Sequence, residues 1–191
     1  MTPTHRVLVI DRELFTALSG ELAHRGDGRR ESGAFLLAPA GQMPDRHGRL
    51  RVTAVAYYDD LEPGCLTGGI SFTANGYTQL AALCRQDGLS TVADIHTHPA
   101  RCVSQSPIDA ANPMTALADH VALIAPCYAR AVTSPAELGV HILGDDGQWT
   151  SLYSRDAARA VSLDGRRLTP AGLLQAATRC LARLTGYRRT R

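Results

Sequence analysis

Two histidines one residue apart, followed by a serine and an aspartate, mark the stretch DIHTHPARCVSQSPIDAAN. His96 and His98 end a short apolar run, and Ser106 and Asp109 follow after a loop. Residues two apart on an extended strand point to the same side, so both imidazoles can face one point. Two histidines and one carboxylate are a common catalytic zinc site, because three protein ligands leave the fourth coordination position open. The spacing therefore predicts a metal site of His96, His98 and Asp109.

The same SPID segment also has the pattern of a helix start. Ser106 is a good N-cap, Pro107 suits the first helical position, and Asp109 can close a capping box. A His-x-His pair alone is more often ordinary strand composition than a pair of ligands. Capping and metal binding are compatible, because the cap uses the backbone of the turn and one carboxylate oxygen can stay free. The metal prediction thus rests on the conjunction of these residues.

Hydrophobic periodicity predicts three helices around this site. One covers residues 14–22 after the cap Asp11, and a second covers residues 77–84 and ends before Gly88. A third, over residues 169–184, has an apolar stripe that belongs either to the core or to an interface between two copies. The oligomeric state therefore stays open, with a homodimer as one alternative.

Apolar and β-branched runs between Gly, Pro and Asp predict the strands. They cover residues 32–38, 49–58, 90–96, 120–125, 138–143 and 148–153. The last two are joined around Asp145-Asp146-Gly147, a hairpin signal. Strands and helices mix without regular alternation, so we predict a single α+β domain around a mixed sheet.

Composition argues against nucleic acid and membranes as partners. The formal net charge is +2, and the arginines are scattered along most of the chain. The N-terminal segment has only four consecutive apolar residues, too few for a signal peptide or a membrane span, so we expect a cytoplasmic protein. Five cysteines without a Cys-x-x-Cys pair predict neither a disulfide framework nor a thiolate zinc site. The chain has no lysine, which either a GC-rich genome or avoidance of isopeptide conjugation would explain.

The combined motif resembles the H-x-H-x7-S-x2-D signature of the JAMM (MPN-plus) zinc metalloproteases. The stretch RRESGAFLLA supplies the upstream glutamate of that family, Glu31, ahead of a glycine and aliphatic residues. The order of predicted elements over residues 5–153 is similar to the family's domain, with a C-terminal helical extension over residues 154–191. The resemblance implies a JAB/MPN-like domain of the bacterial stand-alone type. Its fold would be a mixed β-sheet flanked by helices in a cytidine-deaminase-like α/β/α sandwich.

This resemblance also implies a reaction. Zn²⁺ on His96, His98 and Asp109 would activate water, Glu31 would be the general base, and Ser106 would donate a hydrogen bond to the oxyanion. The bond cleaved would be the amide after the C-terminal Gly-Gly of a ubiquitin-like protein, a deubiquitinase-like isopeptidase activity. The implied partners are a ubiquitin-like protein or its conjugate, with E1-like and E2-like proteins of a conjugation system.

Two further segments carry hypotheses about this activity. Residues 59–74 are candidates to flank an extended substrate tail that adds to a sheet edge, although they are equally typical of a Gly-rich loop. Cys102 lies four residues after His98, and its thiolate is a hypothetical fourth ligand that would exclude water and silence the enzyme.

Other interpretations of the motif stay open. A non-catalytic scaffold of the same fold is one, although such proteins usually lack the ligands. A processing protease for a sulfur-carrier protein would use the same chemistry. DIHTHP also resembles the metal motif of amidohydrolases and PHP phosphoesterases, but too few residues follow His98 to complete their barrel. RadC-like relatives share the signature, yet their helical DNA-binding module has no counterpart before residue 5.

Overall fold

Two β-sheets of different size organise the chain in the computed structural model, which describes residues 6–165. The strands in chain order are β1 (Val7–Asp11), β2 (Gly33–Pro39), β3 (Arg49–Arg51), β4 (Ala54–Tyr57), β5 (Leu89–Thr97), β6 (Val121–Ala125), β7 (Gly139–Leu143), β8 (Trp149–Leu152) and β9 (Val161–Asp164). The α-helices are α1 (Arg12–Gly26), α2 (Tyr58–Leu61), α3 (Ala74–Asp87), α4 (Pro107–Ala111) and α5 (Ser154–Ala160). Single 3₁₀ turns cover Cys127–Ala129 and Pro135–Glu137.

Both strand directions occur in the larger sheet. Its six strands follow the order β4-β2-β5-β6-β7-β8, with β5 and β6 parallel and every other pair antiparallel. The smaller sheet has the order β3-β1-β9, and both of its pairs are parallel. A mixed larger sheet flanked by helices confirms the predicted α+β class.

Helices cover both faces of the larger sheet because its central strands alternate between two apolar cores. On β2, Leu36 packs in the cluster that contains Leu18 of α1. Its two neighbours on the strand, Phe35 and Leu37, pack in the other cluster, which contains Leu80 of α3. Successive side chains of a strand point to opposite faces, so a strand that is apolar throughout is buried on both.

Local signals for helix ends and turns are confirmed. Asp11 is the N-cap of α1, and its carboxylate accepts hydrogen bonds from the amides of Glu13 and Leu14. Gly88 is the C-cap of α3 with a left-handed φ of 64°. The turn between β7 and β8 contains Gly147 at φ 76°.

Within residues 6–165, no helix has the length and apolar character needed to cross a bilayer.

The prediction of one strand over residues 49–58 is wrong. The segment is divided between the two sheets, with β3 beside β1 and β4 beside β2. The amide of Val52 donates to the carbonyl of Val9 in the smaller sheet, at 2.9 Å. The next amide, of Thr53, donates to the carbonyl of Leu37 in the larger sheet, at 2.8 Å. The chain therefore changes sheets between these two residues, where a composition rich in β-branched residues continues without a break.

Residues 154–164 complete the smaller sheet, although the predicted domain boundary lies at residue 153. β9 runs parallel to β1, with Leu8 opposite Val161, and α5 packs against β1 and β7. The predicted boundary therefore separates α5 and β9 from the strands that they pack against. The segment after the boundary contains the strand β9 as well as the helix α5. Neither β1 nor β9 was predicted, because each is a run of only four or five residues. The helix predicted over residues 169–184 lies outside the described residues.

Candidate metal centre

The carboxyl end of β5 presents the two histidines. His96 lies within the sheet between β2 and β6, and His98 follows one residue after the strand ends. The amide of His98 donates to the carbonyl of Ala125 at 2.8 Å, and its carbonyl accepts from the amide of Tyr128 at 2.8 Å. The backbone on both sides of the His98 side chain is thus held by the sheet and by the turn after β6.

That turn has an unusual backbone. Cys127, Tyr128 and Ala129 are consecutive non-glycine residues with φ of 52°, 56° and 59°. Left-handed conformations cost free energy for residues with a Cβ, and they persist where the surrounding structure imposes them. Here they bring the Tyr128 amide to the His98 carbonyl, so the turn helps to orient a predicted ligand.

The structure brings the three predicted ligands together. Nε2 of His96 and Nε2 of His98 are 3.2 Å apart. Asp109 places Oδ2 at 3.3 Å from Nε2 of His98 and Oδ1 at 3.7 Å from Nε2 of His96. One ligand atom from each residue lies within 4.8 Å of the others, and within residues 6–165 this group has the composition and spacing to hold a metal ion.

Helix α4 orients Asp109 through the predicted capping box. The amide of Asp109 donates to Oγ of Ser106 at 3.1 Å, and the amide of Ser106 donates to Oδ2 of Asp109 at 2.7 Å. Burial raises the pKa of Asp109, but hydrogen bonds from His96, His98 and Ser106 outweigh it and hold the pKa well below its usual range. Oδ1 takes no part in the cap and faces His96.

The tautomer of His98 follows from the hydrogen bond that its ring makes on the side away from the cluster. Nδ1 lies 3.1 Å from the backbone carbonyl of Cys102. A carbonyl only accepts hydrogen bonds, so Nδ1 carries the proton, and Nε2 of the neutral ring points its lone pair at Asp109. In the protonated ring Nε2 instead donates a hydrogen bond to Asp109, which raises the pKa of His98 against the effect of burial. The cluster therefore calls for a cation, either a proton on His98 or a metal ion.

Glu31 lies two residues before β2, within range of electrostatic interaction with this cluster. It is half-buried, and burial raises its pKa, although the charges of His96 and His98 lower it. Its amide donates to the carbonyl of Gly68 at 2.9 Å. A Cβ added to Gly69 would lie 3.9 Å from the Glu31 carboxylate, so the loop within the predicted substrate segment 59–74 runs beside the candidate base.

Ser32 and Thr97 tie the segment of Glu31 to the strand of the histidines, which sequence reasoning missed. The amide of Ser32 donates to Oγ1 of Thr97 at 2.9 Å, and Oγ of Ser32 donates to the carbonyl of Leu22 in α1 at 2.8 Å. Both residues are fully buried. Thr97 lies between the two histidines in the chain, and its side chain points to the opposite face of the strand. Its bond to the Ser32 amide therefore fixes the position of the neighbouring Glu31 relative to the histidines.

Comparison with known proteins identifies the fold only. No protein-family model matches the chain. The structure is similar to the solution structure of protein DSY2949 from Desulfitobacterium hafniense, with a TM-score of 0.53 and 16% identity over 84% of this chain and 94% of that one. It is also similar to a solution structure of a protein from Salinibacter ruber, with a TM-score of 0.50 and 18% identity over 84% of this chain and 99% of that one. At these identities the similarity shows the fold alone.

Replacing Gly33 with alanine is expected to destabilise the protein, because a Cβ there would lie 2.3 Å from the Tyr58 ring and 2.8 Å from the Ile95 carbonyl. The carbonyl belongs to the sheet and cannot move cheaply, so we expect a loss of about 1–3 kcal/mol in the free energy of unfolding, measured in urea. Gly20→Ala in α1 is the matched control. It meets no atom within 4 Å and should raise stability by about 0.5–1 kcal/mol. Equal midpoints for the two variants would contradict this account of Gly33.

Cys102 contributes its carbonyl to the site, through the bond to His98. Its side chain is exposed, and its thiol does not belong to the clustered ligand atoms. Hydrogen bonds with Ser104 lower the pKa of the thiol. The hypothesis of a fourth, silencing ligand stays a prediction that would require the loop to move.

A buried polar network adjoins the site and was also missed. The hydroxyl of Tyr58 donates to Oδ2 of Asp94 at 3.1 Å, and Nε2 of His120 contacts Oδ1 of Asp94 at 2.6 Å. Asp94 precedes His96 by two residues on β5, so the two side chains share a face of the strand. The signal available in the sequence was an acidic residue inside an apolar strand, since buried carboxylates occur almost only with partners.

Proposed function

We propose that this protein is a zinc metalloprotease of the JAMM (MPN-plus) type. Its reaction would be hydrolysis of the amide bond after the Gly-Gly end of a ubiquitin-like protein. The observation that carries the proposal is the convergence of His96, His98 and Asp109 within 4.8 Å, with Glu31 close enough for their charges to act on its carboxylate. Helices on both faces of a mixed sheet are consistent with the JAB/MPN-like, cytidine-deaminase-like sandwich that this family has.

The donor set fits zinc in both chemistry and spacing. Ligands at 2.0–2.1 Å in a tetrahedral site are about 3.3–3.4 Å from one another. The two Nε2 atoms of His96 and His98 are 3.2 Å apart, and the Asp109 carboxylate brings Oδ2 to 3.3 Å from His98 and Oδ1 to 3.7 Å from His96. Nε2 of His98 has its lone pair directed into the cluster because Nδ1 donates to Cys102. Three protein ligands are typical of catalytic zinc, whereas structural zinc usually has four.

The proposed reaction assigns a role to each residue of the site. When bound, the metal supplies Lewis acidity to the attacking water and the amide carbonyl. Glu31 takes a proton from the water as oxygen adds to the carbonyl carbon, and it returns that proton to the amine when the C–N bond breaks. Burial raises the pKa of Glu31, which suits a group that must both accept and release a proton. Oγ of Ser106 accepts a hydrogen bond from the amide of Asp109, so the Ser106 hydroxyl proton is left to donate to the oxyanion.

A groove lined by the residue that precedes Glu31 is the candidate path for the substrate tail. It has a volume of about 440 Å³ and lies between the turn after α1 and the loop that contacts the Glu31 amide. Its lining residues are Gly26, Asp27, Arg29, Arg30, Leu66, Thr67 and Gly68. A tail of two glycines can follow a narrow path that side chains would block. The proposal therefore routes the Gly-Gly segment along the loop of residues 59–74.

The test uses two substrates made from one ubiquitin-like protein. In one, the terminal glycine is joined to a lysine ε-amine, and in the other to a C-terminal peptide extension. We expect zinc-loaded protein to cleave after Gly-Gly, as read by mass spectrometry, with cleavage lost in chelator and restored by added zinc. A tail ending in Ala-Ala is the matched control and should resist cleavage. A protein that binds one zinc per chain and cleaves neither substrate would contradict the proposal.

A further inference from the structure

We propose that His141 is a positioning residue for the metal centre, which it orients by holding the ligand loop (residues 99–106) against the β7–β8 hairpin. The inference rests on the metal site of the proposed function, and it concerns metal affinity rather than hydrolysis. His141 lies in the middle of β7 and is completely buried. It is a polar residue in a strand that is otherwise apolar, where an aliphatic side chain would serve packing equally well.

Both nitrogens of the His141 ring are engaged. Nε2 lies 2.9 Å from the carbonyl of Val103 in the ligand loop, and Nδ1 lies 2.8 Å from Oγ of Ser151 in β8. The carbonyl can only accept, so Nε2 carries the proton and donates, while Nδ1 accepts from the Ser151 hydroxyl. Burial lowers the pKa of His141, and the charges of His96 and His98 act in the same direction. A neutral ring with this tautomer is the form that keeps both bonds.

The ligand loop lies directly on the backbone of β7. A Cβ added to Gly139 would lie 2.0 Å from the carbonyl of Val103, so only a glycine permits this approach. Tyr153 packs edge-on against the His141 ring, with centroids 5.9 Å apart, and its hydroxyl donates to Oγ of Ser104 at 3.3 Å. Three residues of the hairpin region thus contact two consecutive residues of the loop.

The same hairpin also holds the helix that carries the aspartate. Nε1 of Trp149 in β8 donates to the carbonyl of Ala110 in α4 at 3.0 Å, one residue after Asp109. On the other side of the loop, the Cys102 carbonyl that orients His98 directly precedes Val103. The hairpin therefore fixes the chain next to two of the ligands, His98 and Asp109, whereas His96 is held by β5.

Loss of the hydrogen bond between His141 and Val103 would affect metal affinity through the ligand loop. Ten residues separate His98 from Asp109, and the irregular part, residues 99–106, has many conformations when nothing holds its middle. The capping box would survive loss of the Val103 bond, because it is local to α4. The position of Asp109 relative to His96 would then depend on the bonds of Trp149 to Ala110 and of Tyr153 to Ser104 alone, so the ligand set would be less preorganised. Groups outside the ligand set typically change metal affinity by about 10- to 100-fold when they are removed.

The experiment compares zinc affinity in folded variants, measured by competition with a chromophoric chelator. His141→Leu removes the donor and is expected to weaken zinc binding about 10- to 100-fold. His141→Gln is the matched variant, because its amide nitrogen reaches the position of Nε2 and can donate to Val103. It should bind zinc nearly as well as the wild type. The rise in Tm on adding zinc should shrink for leucine and not for glutamine.

A merely structural role predicts a different pattern. His141→Leu would then change the Tm of the metal-free protein and leave its zinc affinity unchanged, which would overturn the proposal. If the leucine variant does not fold, Gly139→Ala tests the same contact, because its Cβ would lie 2.0 Å from the Val103 carbonyl oxygen and 2.8 Å from Nε2 of His141 and would separate the two. Unchanged zinc affinity in that variant would also overturn the proposal. Failure of the wild type to bind zinc would instead refute the proposed function.

Discussion

Replacing Glu31 with glutamine is expected to leave the metal centre loaded and to slow hydrolysis by about 10²- to 10⁴-fold. Glutamine has nearly the same shape but cannot take a proton from water. Glu31 is not part of the clustered ligand atoms of His96, His98 and Asp109, so its removal should not release the metal. The measurement is zinc per chain together with kcat on the Gly-Gly substrate that the wild type cleaves.

Two variants serve as controls for that result. His98→Ala removes a ligand, so zinc and activity should be lost together. Glu13→Gln changes an exposed glutamate in the first turn of α1 and should alter neither quantity. A Glu31→Gln protein with the wild-type rate would show that another group is the base, and one without zinc would assign Glu31 to the ligand set.

Replacing Asp94 with alanine is expected to have the largest effect on stability, a loss of about 3–5 kcal/mol. Asp94 is 1% exposed, and its two oxygens contact the His120 ring and the Tyr58 hydroxyl, which are also buried. Removing the carboxylate leaves both of those groups without their acceptor in a region closed to water. Urea unfolding, with the midpoint and slope compared to the wild type, measures the change.

The matched control is an acidic residue with an exposed partner. Asp156 forms an ion pair with Arg159 at 2.8 Å, and both side chains are more than half exposed. Asp156→Ala should therefore cost less than about 1 kcal/mol. Similar losses for the two aspartates would contradict the view that burial makes the Asp94 network costly to break.

The Asp94 network also reaches the metal centre, because Tyr58 packs against Gly33, two residues after Glu31. We therefore expect a folded Asp94→Asn protein to bind zinc more weakly than the wild type.

Short-range features of the site were predictable because they depend on neighbours in the chain. The capping box of Ser106 and Asp109 follows from residue types three apart, and it is confirmed at α4. The convergence of the two histidines follows from the alternation of side chains on a strand. The end of α3 at Gly88 and the β7–β8 hairpin follow from backbone conformations that favour glycine.

Long-range features were decided by the tertiary structure. The transfer of the chain from the smaller to the larger sheet between Val52 and Thr53 depends on partners at residues 9 and 37, which composition does not reveal. The pairing of β9 with β1 joins opposite ends of the described chain. The roles of Asp94 and His141 depend on partners 26 to 38 residues away. The sequence by itself determined which residues could bind a metal, because that depends on local chemistry and spacing. The tertiary structure decided what holds those residues in place, because buried hydrogen bonds are made wherever packing brings a donor to an acceptor.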